Sequence, residues 1–310
     1  MRSLSQKSGH LRPRMGLSWK FQPAMPTFLR KIIFDTSAIN ALEADKDLVA
    51  ITQSLGVAYK VGIPETTVSE VIACPDEPER RRLLDVCKRL LKSGNCIMPF
   101  QWIVEEQAKA YQSDPSGYDW KRLNVRFKES EREIVRQEII HSLSEETRAN
   151  QKEWEKQFQN IYRDAKPAFQ ALFDASTTRP SLREVTDKLL AEGGAHLAIG
   201  ANLVAKATGT RPSETDTKDF MERCPPFKAL LLALCFAQYD RCIRSQREQS
   251  LGKAGRVDML SAVYLPYCKT YATNDEGQYK ALTAVAQLMG ADVAVVMYGD
   301  FKKQLFGLNP

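Results

Sequence analysis

The sequence predicts an α/β fold, a three-layer α/β/α sandwich around a central parallel sheet, interrupted by an all-helical insertion. Two observations support this. Short apolar runs alternate with helical patterns before residue 100 and after residue 252, and such alternation is typical of a parallel sheet covered on both faces. No β-rich run occurs between those regions. We therefore expect a basic leader (1–29), a first α/β part (30–100), the helical insertion (101–251) and a second α/β part (252–310).

The first strand is predicted at Lys31–Phe34, because this short apolar run ends at a polar turn. Asp35, Thr36 and Ser37 form that turn, and their side chains can cap a following helix. Pro64 and the Glu and Thr residues after it are helix start signals. In order, the remaining elements expected in this part are a strand at Val57–Ile63, a helix at Pro64–Ile72, a helix at Glu79–Leu91 and a strand at Cys96–Phe100.

The insertion is expected to be helical because residues 119–173 are rich in charged side chains with apolar residues at helical spacing. Its last helix, predicted from Phe227 to about Ser245, is apolar enough to be core. After Gly255 the α/β alternation returns. The elements expected there are a helix at Arg256–Cys268, a strand at Thr270–Thr273, a helix at Glu276–Met289 ended by Gly290, and a strand at Val293–Met297.

Composition indicates a soluble globular protein, with 43% hydrophobic and 26% charged residues over 310 positions. The net charge of +6 suits a polyanionic partner but is mild. The seven cysteines include no Cys-x-x-Cys pair, which favours free thiols in a reducing compartment, and three histidines do not indicate a zinc site. The longest apolar run is too short for a bilayer. We expect a cytoplasmic protein without a membrane segment.

The first 30 residues carry six basic side chains and no acidic one. An organelle transit peptide has such a composition, but no amphipathic helix is visible. A disordered basic leader is therefore the favoured interpretation, and a true start at Met25 stays open.

Four acidic residues stand out, although each also has an ordinary structural interpretation. Asp35 and Asp275 each follow a predicted strand, where an N-cap or turn residue is common. Glu70 lies among apolar residues of a predicted helix, and Asp258 lies in the first turn of another. Parallel sheets bind ligands outside the carboxyl ends of their strands. Asp35 and Asp275 are both expected there.

Taken together, the segments around these acids resemble the PIN-domain family of metal-dependent nucleases. They occur in the family's order as Phe34–Ile39, Val68–Val71, Asp258 followed by Ala262–Cys268, and Ala272–Asp275. The resemblance covers roughly residues 31–100 and 252–299 and excludes the leader and the insertion. It implies an α/β/α sandwich whose acidic residues gather at one edge of a parallel sheet.

The resemblance also implies a site and an activity. Asp35, Glu70, Asp258 and Asp275 would bind the metal and be catalytic, with Thr36 or Ser37 and Asn274 as polar neighbours. Clustered carboxylates repel by about 4 kcal/mol per close pair at an effective dielectric of 20, and a hard cation such as Mg²⁺ or Mn²⁺ relieves this repulsion. The expected reaction is hydrolysis of a phosphodiester in RNA, or less typically single-stranded DNA, leaving 5′-phosphate and 3′-hydroxyl ends. A role as the toxin of a toxin–antitoxin pair stays open.

The main alternative is a catalytically degenerate PIN-fold scaffold that binds a protein partner through its helical insertion. A phosphatase is disfavoured because Ser37 stands where an Asp-x-Asp motif needs its second Asp. A homodimer also stays open. The insertion offers a second nucleic-acid hypothesis, although interleaved glutamates favour an ordinary solvated helix. Its candidate phosphate-binding and base-stacking residues are Lys121, Arg122, Arg126, Lys128, Arg132, Arg136, Trp120 and Phe127.

Overall fold

The computed structural model describes residues 29–136, 141–172, 180–191, 194–244, 247, 249 and 259–307. Within this part of the chain, five parallel strands form one sheet in the order β3-β2-β1-β4-β5. The predicted α/β class with a parallel sheet is therefore confirmed. The strands are β1 (Arg30–Phe34), β2 (Tyr59–Pro64), β3 (Gly94–Ile97), β4 (Thr270–Thr273) and β5 (Ala294–Met297).

Thirteen α-helices are described around this sheet. A 3₁₀ turn (Trp120–Arg122), a π-helical turn (Tyr239–Ile243) and a 3₁₀ helix (Ser261–Tyr267) complete the helical elements. The helices are α1 (Thr36–Glu43), α2 (Leu48–Ala58), α3 (Glu65–Ala73), α4 (Glu77–Leu90), α5 (Phe100–Ser113), α6 (Lys128–Arg136), α7 (His141–Leu172), α8 (Leu182–Ala191), α9 (Gly194–Thr208), α10 (Glu214–Arg223), α11 (Pro225–Gln238), α12 (Glu276–Met289) and α13 (Tyr298–Leu305).

Two apolar clusters cover the two faces of the sheet. Strand β1 contributes side chains to both clusters, because successive side chains of a strand point to opposite faces. Ile32 and Phe34 pack with helices α1–α4 and α13, while Ile33 packs with α5, α11 and α12. This arrangement is consistent with the predicted three-layer sandwich. Much of the helical layer on the Ile33 face of the sheet comes from residues 101–251. The apolar helix α11 in this layer is buried along most of its length, as expected.

Several predicted boundaries were wrong, for local reasons. Val57 lies in the last turn of helix α2, which ends at Ala58, and β2 begins at Tyr59. Phe100 begins α5, because β3 ends at Ile97 and Pro99 precedes the new helix. Helix α11 continues at Gln238 into the π-helical turn Tyr239–Ile243, so the helical segment ends close to the predicted end near Ser245 but changes its hydrogen-bond pattern. The sequence analysis also missed helices α2, α5 and α13 as separate elements.

The helix predicted at Arg256–Cys268 is only partly described. Residues 256–258 lie outside the described part of the chain, and Ser261–Tyr267 is a 3₁₀ helix that contains Pro266. Proline lacks the N–H that an α-helical interior requires, which is consistent with the tighter 3₁₀ geometry of this segment. Gly290 ends α12 in a left-handed conformation with φ of 63°, as its position predicted.

None of the seven cysteines, all of which lie in the described part of the chain, forms a disulfide. None of the helices in the described part of the chain combines the length and apolar composition that a membrane crossing requires.

The strand order places a topological switch point between β1 and β4. From β1 the chain proceeds outward through β2 to β3, whereas β4 returns to the opposite side of β1 and is followed by β5. The connections therefore diverge at the carboxyl ends of β1 and β4, and this divergence opens the crevice where parallel sheets usually bind ligands. Asp35 follows β1 there, and its N–H still pairs with the carbonyl of Ala272 on β4 at 3.2 Å.

Candidate active site

A cleft of about 220 Å³ lies at this crevice. Three of the four predicted acids line it: Asp35 from the end of β1, Glu70 from α3 and Asp275 from the end of β4. Asp258 lies outside the described residues, although Ser261, three positions later, lines the cleft. The structure thus brings together carboxyl groups from three separate parts of the chain, and Asp258 stays a prediction.

Asp35 is held rigidly because it also caps helix α1. Its Oδ1 accepts a hydrogen bond of 2.7 Å from the N–H of Ala38, and the Ser37 hydroxyl lies 2.9 and 3.0 Å from its two carboxyl oxygens. The residue is only 6% exposed. The structural and functional interpretations of Asp35 are therefore compatible, since the cap fixes the carboxylate that borders the cleft.

Burial raises the pKa of Asp35 from 3.8 to about 6. Hydrogen bonds from Thr273, Ala38 and Ser37 act in the opposite direction, while the nearby charge of Asp275 adds to the increase. The fold therefore keeps a carboxyl group where its ionised form is poorly solvated and repelled by another acid.

Ser37 joins the ends of the two central strands. Its hydroxyl accepts a 2.6 Å hydrogen bond from the backbone N–H of Asn274 and lies 3.1 Å from the hydroxyl of Thr273. Thr273 in turn donates to Oε1 of Gln278 at 2.8 Å. This network fixes the turn after β4 against the turn after β1. Asn274 takes part through its backbone, and its exposed side chain is not among the groups that line the cleft.

Glu70 approaches the cleft from α3, and the hydroxyl of Thr36 donates a hydrogen bond to its Oε2. Burial raises the pKa of Glu70 from 4.5 to about 7; the Thr36 hydrogen bond opposes this, and the charges of Asp35 and Glu65 add to it. Asp35 and Glu70 thus both have raised pKa values, in each case through burial first and repulsion by neighbouring acids second. Sites of this kind are common where proteins bind cations or perform catalysis.

Asp275 completes the acidic lining from a more open position. It is exposed, and its Oδ1 accepts a 2.7 Å hydrogen bond from the N–H of Gln278, so it caps α12 as Asp35 caps α1. The two strand-end acids therefore have equivalent local roles on neighbouring strands. One is buried at the back of the cleft and the other is accessible to a ligand.

Thr36 and Ser37 line the cleft, as the resemblance implied, but its other uncharged residues were not predicted. Thr66 and Thr67 lie four and three positions before Glu70 on α3, a spacing that places helical side chains on one face. Their spacing from Glu70 is therefore the sequence feature from which Thr66 and Thr67 could have been predicted. Gln278 stands three positions after the N-cap Asp275, where a Gln commonly completes a capping pattern. For Asn40 and Ser261, which also line the cleft, we find no equivalent signal.

Glu65 is a further acid near the site that was interpreted only as a helix start. Its pKa is raised by burial and by the charge of Glu133, and the Ser69 hydroxyl donates a hydrogen bond to it. It is close enough to Glu70 to raise that residue's pKa as well. Helix α3 thus brings two acids, Glu65 and Glu70, to this region, whereas the predicted set contained only Glu70.

The acids that the structure describes do not form a preformed metal cage. Within the described ranges, no group of three His, Cys, Asp or Glu side chains is arranged to hold an ion by itself. Mg²⁺ does not require such a cage, because it usually keeps several waters and uses one or two carboxylates together with substrate phosphates. The carboxylate and hydroxyl oxygens of the lining and the repulsion between its carboxylates fit a hard divalent ion of this kind.

No model of a known protein family matches the chain, and no curated protein or solved structure is significantly similar to it. The resemblance to the PIN family therefore stays a prediction from the sequence motifs. What the chain does must be argued from the cleft itself.

Proposed function

We propose that this chain is a PIN-type nuclease that hydrolyses RNA with Mg²⁺ or Mn²⁺ at the acidic cleft. The observation that carries the proposal is the convergence of Asp35, Glu70 and Asp275 on one cleft at the switch point of a parallel sheet. The same three residues are among the four acids that the sequence motifs predict. If each acid had only a structural role in its own helix, nothing would require the three carboxyl groups to lie in one cleft.

Electrostatics supports a cationic ligand. The raised pKa values of Asp35 and Glu70 mean that their ionised forms are destabilised by burial and by neighbouring acids. Asp35, Glu70 and Asp275 offer carboxylate oxygens to a cation, and the serine and threonine hydroxyls offer further oxygens. A divalent cation bound there supplies Lewis acidity for phosphodiester hydrolysis and lowers the pKa of bound water.

The chain's own groups position the reaction. Hydrogen bonds to Ala38 and Ser37 fix the orientation of the Asp35 carboxylate, and Thr36 fixes that of Glu70. Asp275 borders the accessible side, where an RNA phosphate would approach. Without a cation these charges repel a phosphodiester, so substrate binding at this cleft depends on the metal. The expected products carry 5′-phosphate and 3′-hydroxyl ends.

The test is cleavage of labelled single-stranded RNA and DNA of equal sequence, with Mg²⁺, Mn²⁺ or a chelator. We expect metal-dependent cleavage of RNA, and a loss of at least about 100-fold on Asp35→Asn, equal to about 3 kcal/mol of transition-state stabilisation. Asp300→Asn is the matched control, because Asp300 is exposed on α13 and pairs with Lys303 at 2.9 Å. Unchanged cleavage by Asp35→Asn would remove this cleft from the mechanism.

A second candidate is a catalytically degenerate scaffold of the same fold. The absence of a preformed three-ligand group among the described residues favours it. Calorimetric titration with Mn²⁺ separates the two candidates. Heat of binding that disappears in Asp35→Asn supports the nuclease, whereas no heat in the unmodified protein, together with no cleavage, supports the scaffold.

A further inference from the structure

A second and larger cleft lies at the opposite edge of the sheet, where the strands begin. Its volume is about 680 Å³, within the range of about 300–1,000 Å³ that is typical of ligand sites. The starts of β1, β2 and β3, the loop after the Trp120 turn, and the residues just before β4 enclose it. We call it the cationic cleft, because the charged residues among its described lining are Arg30, Lys31, Lys60, Lys121, Arg126 and Lys269, and none of these described lining residues is Asp or Glu.

The lysines at this edge form a row across neighbouring strands. Lys31 on β1 is in register with Lys60 on β2, and the backbone N–H of Lys269 donates to the carbonyl of Lys31 at 2.9 Å. Strands lie about 5 Å apart, so like charges stand side by side at a cost to folding. A polyanion that bridges the row would remove this cost.

Some of these cations are neutralised and others are not. Arg126 pairs with Glu131 at 2.7 Å, and Lys269 pairs with Asp292. Among the residues that the structure describes, Lys31 and Lys60 have no carboxylate within ion-pair distance. The leader joins the chain beside Leu29, another lining residue, but residues 1–28 contain five basic side chains and no acidic one. Residues 1–28 therefore contain no carboxylate side chain that could balance Lys31 and Lys60.

Aromatic and amide groups accompany the charges. Trp120 and Tyr267 line the cleft with their rings in edge-to-face contact, 5.4 Å between centroids. Asn95 and Asn124 also line it and offer both donors and acceptors. A basic groove with aromatic side chains on which bases stack is the usual composition of single-strand binding sites. Of the stripe predicted from sequence, only Trp120, Lys121 and Arg126 belong to this lining.

We infer that the cationic cleft binds single-stranded RNA at a distance from the acidic cleft and anchors the substrate there. The link to cleavage rests on the proposed function, whereas the binding itself does not. Lys31 and Asp35 are four residues apart on β1, which corresponds to about 13 Å along the strand. An RNA that contacts both clefts has to pass around the fold, because β1 between them is buried, so the strand must be longer than a trinucleotide.

The first experiment measures binding of a fluorescent 20-nucleotide RNA to the full chain in chelator, over a series of salt concentrations. The variant is Lys31→Glu/Lys60→Glu, and Lys152→Glu/Lys218→Glu is the control with the same net charge, since these exposed helical lysines line neither cleft. We expect the cleft variant to weaken binding at least about tenfold and to reduce the salt slope by about 1.4, or 0.7 per lost phosphate contact. The control should retain its affinity.

Three results would overturn the inference: equal loss in both variants, no loss in either, or competition by a mononucleotide as effective as competition by the 20-mer. The last result would assign the cleft to free nucleotides. Lys31→Gln/Lys60→Gln removes the two charges without reversing them and guards against a folding defect in the Glu variant. It should weaken RNA binding in the same direction by a smaller factor.

The second experiment separates this inference from the proposed function. With metal present, the cleft variant should raise the KM for the 20-mer and leave cleavage of a trinucleotide unchanged. Binding that depends on Lys31 and Lys60 without any cleavage refutes the proposed function alone. Cleavage with equal KM in both variants refutes the anchoring role alone.

Discussion

Asp35→Asn should stabilise the folded protein in the absence of divalent cations, although the same change should abolish metal-dependent cleavage. The increase in the pKa of Asp35 from 3.8 to about 6 corresponds to about 3 kcal/mol of unfavourable free energy when the group is ionised. Asn caps helices about as well as Asp, so the hydrogen bond from Ala38 should survive. Allowing for a weaker bond to Ser37, we expect a net gain of about 1–3 kcal/mol at pH 7.5.

The gain should depend on pH with a defined sign. Because the folded state binds the Asp35 proton more tightly than the unfolded state, the carboxyl group costs nothing at pH values below 3.8. The cost increases as the pH rises through about 6 and is constant above that. Urea unfolding of both proteins in chelator should therefore give similar free energies near pH 4 and a clear difference at pH 7.5.

A divalent cation should reverse the order of stability. Mn²⁺ at 100 times its dissociation constant would stabilise the unmodified protein by about 3 kcal/mol and Asp35→Asn much less. Asp300→Asn should match the unmodified protein under all conditions, because its carboxylate is exposed. If Asp35→Asn is instead less stable by more than about 1 kcal/mol at pH 7.5 in chelator, the carboxylate is compensated by its hydrogen bonds and the electrostatic reasoning fails.

Two further predictions concern the scaffold. A Cβ at Gly94 would lie 2.1 Å from the carbonyl oxygen of Val61, so Gly94→Ala should lower the free energy of unfolding by about 3 kcal/mol or more. A Cβ at Gly299 on α13 meets nothing within 4 Å, so Gly299→Ala should raise the free energy of unfolding by about 0.5–1 kcal/mol. Equal melting temperatures for the two variants would contradict this. Phe301 is 1% exposed, and its ring meets that of Phe34 edge to face with 5.4 Å between centroids. Phe301→Ala should therefore lower the free energy of unfolding by about 3–5 kcal/mol. A loss under about 1 kcal/mol in urea titration would show that α13 is not part of the core.

The sequence alone determined the features that depend on a few neighbouring residues. The apolar runs of β1 and β4 ended within one residue of their predicted positions, and Asp35 and Asp275 cap the helices that follow them. Strand periodicity and N-capping act over about four residues, so they can be read from a short segment. The pairing of β1 with β2 and β4, by contrast, depends on contacts between distant segments.

Only the tertiary structure decided which of these local features meet. It brought Glu70 from α3 to the carboxyl ends of β1 and β4. It also placed Lys31, Lys60 and Lys269, which have no relation in sequence, side by side at the opposite edge. Both sites exist because strand order and helix packing set neighbours across the sheet, and a linear pattern of residues carries little information about either.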